Sequence, residues 1–522
     1  MASNCNQSSG PPPIGASLNK RYFFKLVSNI IGLGAGGATQ ALIPRGLGPQ
    51  AYGDFSFLTS FFSLTVNSLE MGTFQGFYTK LAQRPQERTL VGFYFSFSAV
   101  MAALVFGFVM VAHGSGINSF LWPSQQITYV YLAAGWAIMI WFVQVLEGMG
   151  DGYGLTISTE MARIAQKVMW LVWIIVLFSL QKLNLANFFL FCYINFGLVV
   201  LLFLWIMRSK GYSLQGIWKF HPGQITAYAR EFLKYSHPLF IFSVVGMVAN
   251  LFDRWLLQVF GGSVQQGFYG LSYQIGTLCF VFSGAMTPLL TREFAIAFGK
   301  NDLGQMAHLF RRYIPILFSV AAFLACFVAV QADKITYIIG GKSFKGAVMA
   351  VTIMAFYPIY QTYGQLSGSV FYATGQTALY RNIGIIVLTA GIPFSYLLMA
   401  PYNWFGLELG SVGLAIKMVL LAFVGINIQL WYNTKLLKLS FREYLSHHIY
   451  SVIIFLSLGT ISVYLTDFLI KCFVLNLIIS AIFYALMSII IIFAKPSLFF
   501  TSRNELIYYF WHRKNGGVKG GN

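Results

Sequence analysis

"SNIIGLGAGGATQ", residues 28–40, reads in two incompatible ways. Gly32, Gly34 and Gly37 spell G-x-G-x-x-G, and Asp54 lies about twenty residues past Gly34, the spacing of a dinucleotide-binding loop and its ribose-binding acid. That fingerprint follows a strand and opens a helix. Here the glycines sit inside one apolar run from about Tyr22 to Ile43. They read instead as small residues of a membrane helix, which let neighbouring helices approach.

The composition around this stretch agrees. Hydrophobic residues make up 57% of the 522, charged residues 9%, and mean hydropathy is +0.68. A soluble chain of that balance has too little polar surface to cover itself. Several stretches of roughly 18–25 residues carry few or no charges, the length that crosses a hydrocarbon core. We therefore expect an all-α integral membrane protein. The polar, proline-rich residues 1–19 lack a basic-then-apolar signal pattern and read as a disordered cytoplasmic tail. Cys5, Cys192, Cys279, Cys326 and Cys472 form no C-x-x-C, so neither a disulfide framework nor a zinc site is indicated.

About fourteen transmembrane helices are expected, near 22–43, 54–79, 91–112, 127–147, 153–179, 186–207, 233–260, 267–291, 313–332, 347–373, 382–400, 410–431, 449–466 and 472–494. Net charge is +19, and the basic residues fall in loops on one side of this pattern. These loops include "TKLAQRPQER", "TREFAIAFGKNDLGQMAHLFRR" and "NTKLLKLSFRE"; about 23 Lys/Arg lie on this side and about 6 on the other. The positive-inside rule places the first side, and both termini, in the cytoplasm. Membrane head groups explain the charge, so no nucleic-acid partner is expected. The longest connection, 208–232, is basic and amphipathic. It separates helices 1–6 (20–207) from helices 7–12 (233–431), with helices 13–14 over 432–494 and a cytoplasmic tail over 495–522.

The chain repeats itself. "IPRGLGPQAYGDFSFLTSFFSLT" from Ile43 and "QVFGGSVQQGFYGLSYQIGTLCFVF" from Gln258 each join a membrane helix to an aromatic-rich one through a Gly-containing turn. Tyr52-Gly53 matches Tyr269-Gly270, about 215 residues on. Parallel repeats of this kind build transporters of two pseudo-symmetric lobes with the substrate path at their interface.

"ALIPRGLGPQAYGDFSFLTSFF", "REFLKYSHPLFIFSVVGMVANLFDRWLLQVFGG" and "GSVFYATGQTALYRNIGIIVLTAGIPFSYLLMAPYNWFGLELGSVGLAI" resemble the first-to-second, seventh, and tenth-to-twelfth helix patterns of the polysaccharide transporters. These are O-antigen-type flippases of the multidrug/oligosaccharidyl-lipid/polysaccharide flippase superfamily. The resemblance runs from about Lys20 to Lys495. It implies two six-helix lobes in a V that opens alternately to the two sides of a bacterial cytoplasmic (inner) membrane. The implied cargo is an undecaprenyl-diphosphate-linked oligosaccharide bound for O-antigen, capsule or exopolysaccharide, with membrane lipids and the polysaccharide polymerase and chain-length machinery as partners. Extra helices 13 and 14 occur in some branches, where they can form a groove for the lipid tail. The peptidoglycan-precursor branch carries arginines along its first helix, where this chain has Lys25 near the cytoplasmic end.

Charges inside the spans are the candidate site. A charge at a helix centre costs roughly 2.5–3.5 kcal/mol on insertion scales, so such residues face the interior, pair, or act. Lys25, Arg45, Glu70, Arg163, Lys167, Asp253, Arg254 and Lys417 are taken as the substrate or translocation cavity. Glu70 follows Asn67 and precedes Phe74 on one helix face, where a carboxyl has the chemistry to take a proton or cation. Glu160, Arg163 and Lys167 share a face: Glu160 and Arg163 can pair locally and leave Lys167 as the cation. A cationic stripe facing an aqueous cleft suits a diphosphate or an acidic sugar, the alternative being charges that snorkel at the cytoplasmic interface. Adjacent Asp253 and Arg254 point about 100° apart and so do not simply pair with each other. No catalytic constellation is present: there is no H-E-x-x-H, Walker loop or nucleophile elbow. No cofactor and no enzymatic role are expected. His447-His448 reads as surface in a cytoplasmic connection. Drug or cation antiport by the same superfamily is the alternative. A membrane polysaccharide polymerase or ligase ranks below it for want of a large extracytoplasmic loop.

Overall fold

The computed structural model describes residues 18–212, 216–277 and 281–496, which are helical throughout with no strand among them. Helices α1 (Leu18–Glu70), α2 (Thr73–Gln83), α3 (Arg88–Gly114), α4 (Asn118–Leu121), α5 (Ile127–Gly152), α6 (Thr156–Ser179) and α7 (Leu185–Ser209) precede the long α8 (Gln224–Thr277). They are followed by α9 (Val281–Gly299), α10 (Leu303–Val330), α11 (Ala332–Gly340), α12 (Val348–Met354), α13 (Tyr357–Ala373) and α14 (Thr377–Met399). The last three are α15 (Gly410–Leu436), α16 (Phe441–Leu469) and α17 (Phe473–Ala494). Ten of the described helical segments are long and apolar enough to cross a membrane. Each coincides with one expected span. The other four expected spans fall on α1–α2 and α8–α9. The chain is a multi-pass membrane protein.

Two glycines set the repeat. Gly48 divides α1 with φ 74°, ψ 170°, and Gly262 divides α8 with φ 69°, ψ −173°. This conformation is open to glycine almost alone, because a β-carbon clashes there. Before Pro49 it is reinforced, since the proline ring drives the preceding residue out of the helical region. The kinks also correct the expected register. Gly53 and Gly267 each stand five residues past the kink, so Tyr52 corresponds to Gln266, and the Tyr52/Tyr269 match lies almost one helical turn out. The turn between α5 and α6 recurs as well. Gly154 (φ 75°) precedes Thr156, and Gly375 (φ 71°) precedes Thr377 at the start of α14.

The helices outlast their apolar cores. The expected loop over 291–312 is mostly α9 and α10, because Phe294, Ala297, Met306 and Phe310 continue a buried helical stripe through it. His447 and His448 likewise lie inside α16, each 3% exposed, and are not surface residues. His448 stacks on Phe318 at 4.0 Å, and His447 Nε2 lies 3.2 Å from Ser319 Oγ. Their apolar-flanked face packs on α10, which the local charge of the segment had concealed.

The chain forms two compact units, 1–258 and 259–522. The first is built round Phe57, Phe62 and Val66 of α1, Tyr94 of α3, Leu146 of α5 and Phe203 of α7. The first unit includes α8 up to Gln258, which bonds along it. Ser243 meets Ser68, Trp255 Nε1 donates to Phe120 O at 2.7 Å, and Gln258 Nε2 donates to Pro123 O at 3.1 Å. The second unit is built round Phe318 of α10, Tyr363 of α13, Leu430 of α15, Phe455 of α16 and Tyr484 of α17. Its last two helices are tied in by polar groups. Buried Lys334 donates to Asp467 Oδ1 at 2.7 Å and Asn476 Oδ1 at 2.8 Å, and Gln331 Nε2 donates to Ser480 Oγ at 2.9 Å.

Candidate functional site

The main cluster of charge lies where α5 and α6 pack beside α1. The left-handed turn at Gly154 folds α6 back along α5, bringing Arg163 against both Glu147 and Glu160. Its Nε lies 3.3 Å from Glu147 Oε1, and its Nη1 donates to Glu160 Oε1 at 2.9 Å. Glu160 is 2% exposed, and its Oε2 has no hydrogen-bond partner among the described residues. Lys167, two turns further along α6, is within electrostatic reach of both carboxylates. Its ammonium lies against Gly32 of α1, where a β-carbon would stand 2.5 Å from Nζ. Thus Gly32 serves close approach as expected of it, though to a lysine rather than to a helix backbone. Gly34 and Gly37 meet nothing within 4 Å. The local pair expected of Glu160 and Arg163 is present, and Glu147 of α5 joins it. A guanidinium is the right bridge for this, because its planar fork serves two acceptors at once.

Glu70 is placed differently from the continuous-helix expectation. Met71 (φ 54°) and Gly72 (φ 75°) break the chain immediately after it. The Glu70 carboxylate accepts from the Gly72 backbone N–H at 3.1 Å and from that of Phe74. It therefore caps α2, satisfying N–H groups that a helix start leaves open.

Asp253 and Arg254 both lie in α8 within the first unit. Asp253 is buried at 3% exposure. Arg254 is half-buried beside Tyr52, with Nη2 at 3.4 Å from Ser60 Oγ. Lys417 of α15 is buried in the second unit and lies along α14, where a β-carbon on Gly391 would stand 2.9 Å from its Cε. Arg45 is exposed, three residues before the α1 kink. The side chain of Lys25 lies outside the described residues. The structure thus brings Arg163 and Lys167 together with Glu147 and Glu160 in the first unit.

A second charged group was not anticipated. Lys80 in the last turn of α2 and Arg84 just after it both bond Glu231 of α8, Arg84 Nη2 at 3.1 Å. Beside them Tyr228 donates its hydroxyl to Glu87, and Gln224 Nε2 donates to Thr89 Oγ1 at 2.9 Å. The signal was a lone acid in "YAREFLK", hidden by the positive charge of its surroundings.

No protein-family model matches the chain, and no curated protein matches its sequence. Solved structures do. One is an inward-facing multidrug resistance MATE family transporter of the MOP superfamily, 17% identical with a TM-score of 0.62 over 82% of this chain and 98% of that one. Another is the lipid II flippase MurJ in an inward closed conformation, 15% identical with a TM-score of 0.60 over 91% of this chain and 99% of that one. A crystal structure of a point mutant of MATE is 16% identical with a TM-score of 0.50, covering 80% of this chain and 97% of its own. At such identities the likeness is one of fold: the chain has the helical architecture of MATE and MurJ transporters.

Proposed function

We propose that the protein is a flippase that carries an undecaprenyl-diphosphate-linked oligosaccharide repeat unit across the bacterial cytoplasmic membrane by alternating access, for surface polysaccharide export. The observation that carries this reading is how far the likeness to the lipid II flippase extends along the chain. The alignment with the lipid II flippase covers 91% of this chain, a share that reaches past α15 into α16 and α17. They share the second unit's core through Phe455 and Tyr484. A glycan head group loses its water in hydrocarbon and needs a polar path, whereas its prenyl chain can stay in lipid. Of the intramembrane charges expected to form the cavity, Arg163 and Lys167 are the groups proposed to meet the diphosphate. Deleting the gene is expected to leave lipid-linked oligosaccharide in the inner leaflet and no polymer at the surface. Undiminished surface polymer in the deletion strain overturns the proposal.

Drug or cation antiport has one observation of its own: the two carboxylates Glu147 and Glu160, one of them with an unpartnered oxygen. That chemistry suits a cationic cargo. A deletion strain with normal polysaccharide and raised sensitivity to cationic drugs establishes this second reading.

A further inference from the structure

In the first unit, an apolar pocket of about 210 Å³ lies between α2, α3 and α8, walled by Met71, Phe93, Phe97, Ala229, Phe232 and Leu233. Phe93 and Phe232 stack at 5.6 Å, and Thr73 bonds the Tyr94 hydroxyl at 3.1 Å on the same wall. Leu233 is 58% exposed, so the pocket opens outward beside it. Its volume exceeds that of dry cavities of about 150 Å³ that take a benzene ring. The residue next to Phe232 and Leu233 is Glu231, on whose Oε1 Lys80 and Arg84 converge. Lys80 Nζ also lies 6.0 Å from the centre of the Phe232 ring, so cation site and pocket share a wall.

We propose that this corner of the first unit binds a membrane lipid through its phosphate head group, with Lys80 and Arg84 holding the phosphate and the first part of a chain entering the pocket. The Glu231 carboxylate occupies the phosphate's place when no lipid is bound. A monoester phosphate carries about −1.5 to −2 charges against the single charge of a carboxylate, and three acceptor oxygens, so it competes for two converging cations. A free inorganic phosphate gains nothing from the pocket; a lipid gains both. Release of Glu231 removes one tie between α8 and α2, while Tyr228 on Glu87 and Gln224 on Thr89 still hold the start of α8. The inference rests on the geometry of residues 71–97 and 229–233 and is independent of the cargo.

The test is equilibrium binding of radiolabelled dioleoyl phosphatidic acid to the full-length protein in phosphatidylcholine nanodiscs. Unlabelled phosphatidic acid is expected to compete, while added inorganic phosphate at millimolar concentration is not. Lys80→Gln with Arg84→Gln weakens binding by about tenfold, the worth of a charge-assisted bond. Leu233→Trp, which fills the mouth, weakens it too. Glu231→Gln removes the competing carboxylate and strengthens binding, a gain that misfolding does not mimic. Three results overturn the proposal: unchanged binding in the double Gln variant, no gain in Glu231→Gln, or competition by inorganic phosphate as effective as by the lipid. Each is read without transport, so failure of the flippase reading leaves this one standing, and the reverse.

Discussion

The Lys167 ammonium lies over Gly32 at the point where any other residue would place its β-carbon, 2.5 Å from Nζ. The contact is with the far end of a flexible side chain, so the lysine can swing aside. Gly32→Ala is therefore expected to change unfolding stability by less than about 1 kcal/mol, since alanine also favours the helix. On the proposed flippase reading it is nonetheless expected to lower export, because the cation is moved relative to Glu147 and Glu160. Thermal melts in detergent together with a surface-polymer assay check this. A large loss of stability with full export contradicts it.

Removing the bridge should be costly. Arg163→Gln leaves Glu160 buried without its compensating charge, which costs about 3–5 kcal/mol. Glu160→Gln in the same chain is expected to recover most of that loss, because the amide does not need a cation. A double-mutant cycle in denaturant measures the coupling. Additive losses would mean that the two groups act apart.

Backbone strain gives a third prediction. Gly48→Ala and Gly262→Ala put a β-carbon into a glycine-only conformation and are each expected to cost about 1–3 kcal/mol. Gly34→Ala, in open space within the same helix as Gly48, is expected to cost nothing measurable. Melting temperatures of the three variants decide it, and equal values across the set would show that the kinks are not held by glycine.

The Glu231 contact gives a pH dependence. Hydrogen bonding by Lys80, helped by the charge of Arg84, holds the Glu231 carboxyl below its ordinary value. A lowered folded value means that the contribution is complete above the unfolded carboxylate pKa, about 4.3, and is lost as pH falls through the folded value. No loosening is expected between pH 7 and 5. Below about pH 4 the start of α8 should exchange its amide hydrogens faster. The side chain is 31% exposed, so the effect is about 1 kcal/mol or less. Glu231→Gln should reduce the difference between pH 7 and the acid arm.

Lys334 anchors the last two helices. Lys334→Met leaves Asp467 and Asn476 without their shared donor and should make the short connection between α16 and α17 more open to protease. Asp467 is 53% exposed, so Asp467→Asn should have the smaller effect. Limited proteolysis of the two variants ranks them.

Much of the fold was legible in the residues. Runs of apolar side chains as long as a bilayer is thick permit little besides a membrane helix, and the glycine-containing turns at 46–48 and 261–262 announced the repeat. The register was not legible, because Tyr-Gly recurs by chance within a turn of its true partner, and only the positive φ angles of Gly48 and Gly262 fix it. Helix ends were missed for a related reason. Phe294, Met306 and Phe310 bury their side chains beyond the apolar core, and a basic surround masks that stripe in the linear chain.

Sequence alone determined that this chain is a bundle of membrane helices with charge lodged among them, because hydrophobic length and the cost of a charge in oil are properties of single segments. Which charges meet was decided only by the tertiary structure. Arg163 finds Glu147 because a left-handed glycine turns α6 back on α5. Glu70 caps its own chain because the helix breaks one residue later. Lys80 and Arg84 reach Glu231, about 150 residues away in the chain, because α8 lies along the first unit. Electrostatic partnership depends on distances of a few ångströms in space, and spacing along a chain carries that information only within a helical turn or two.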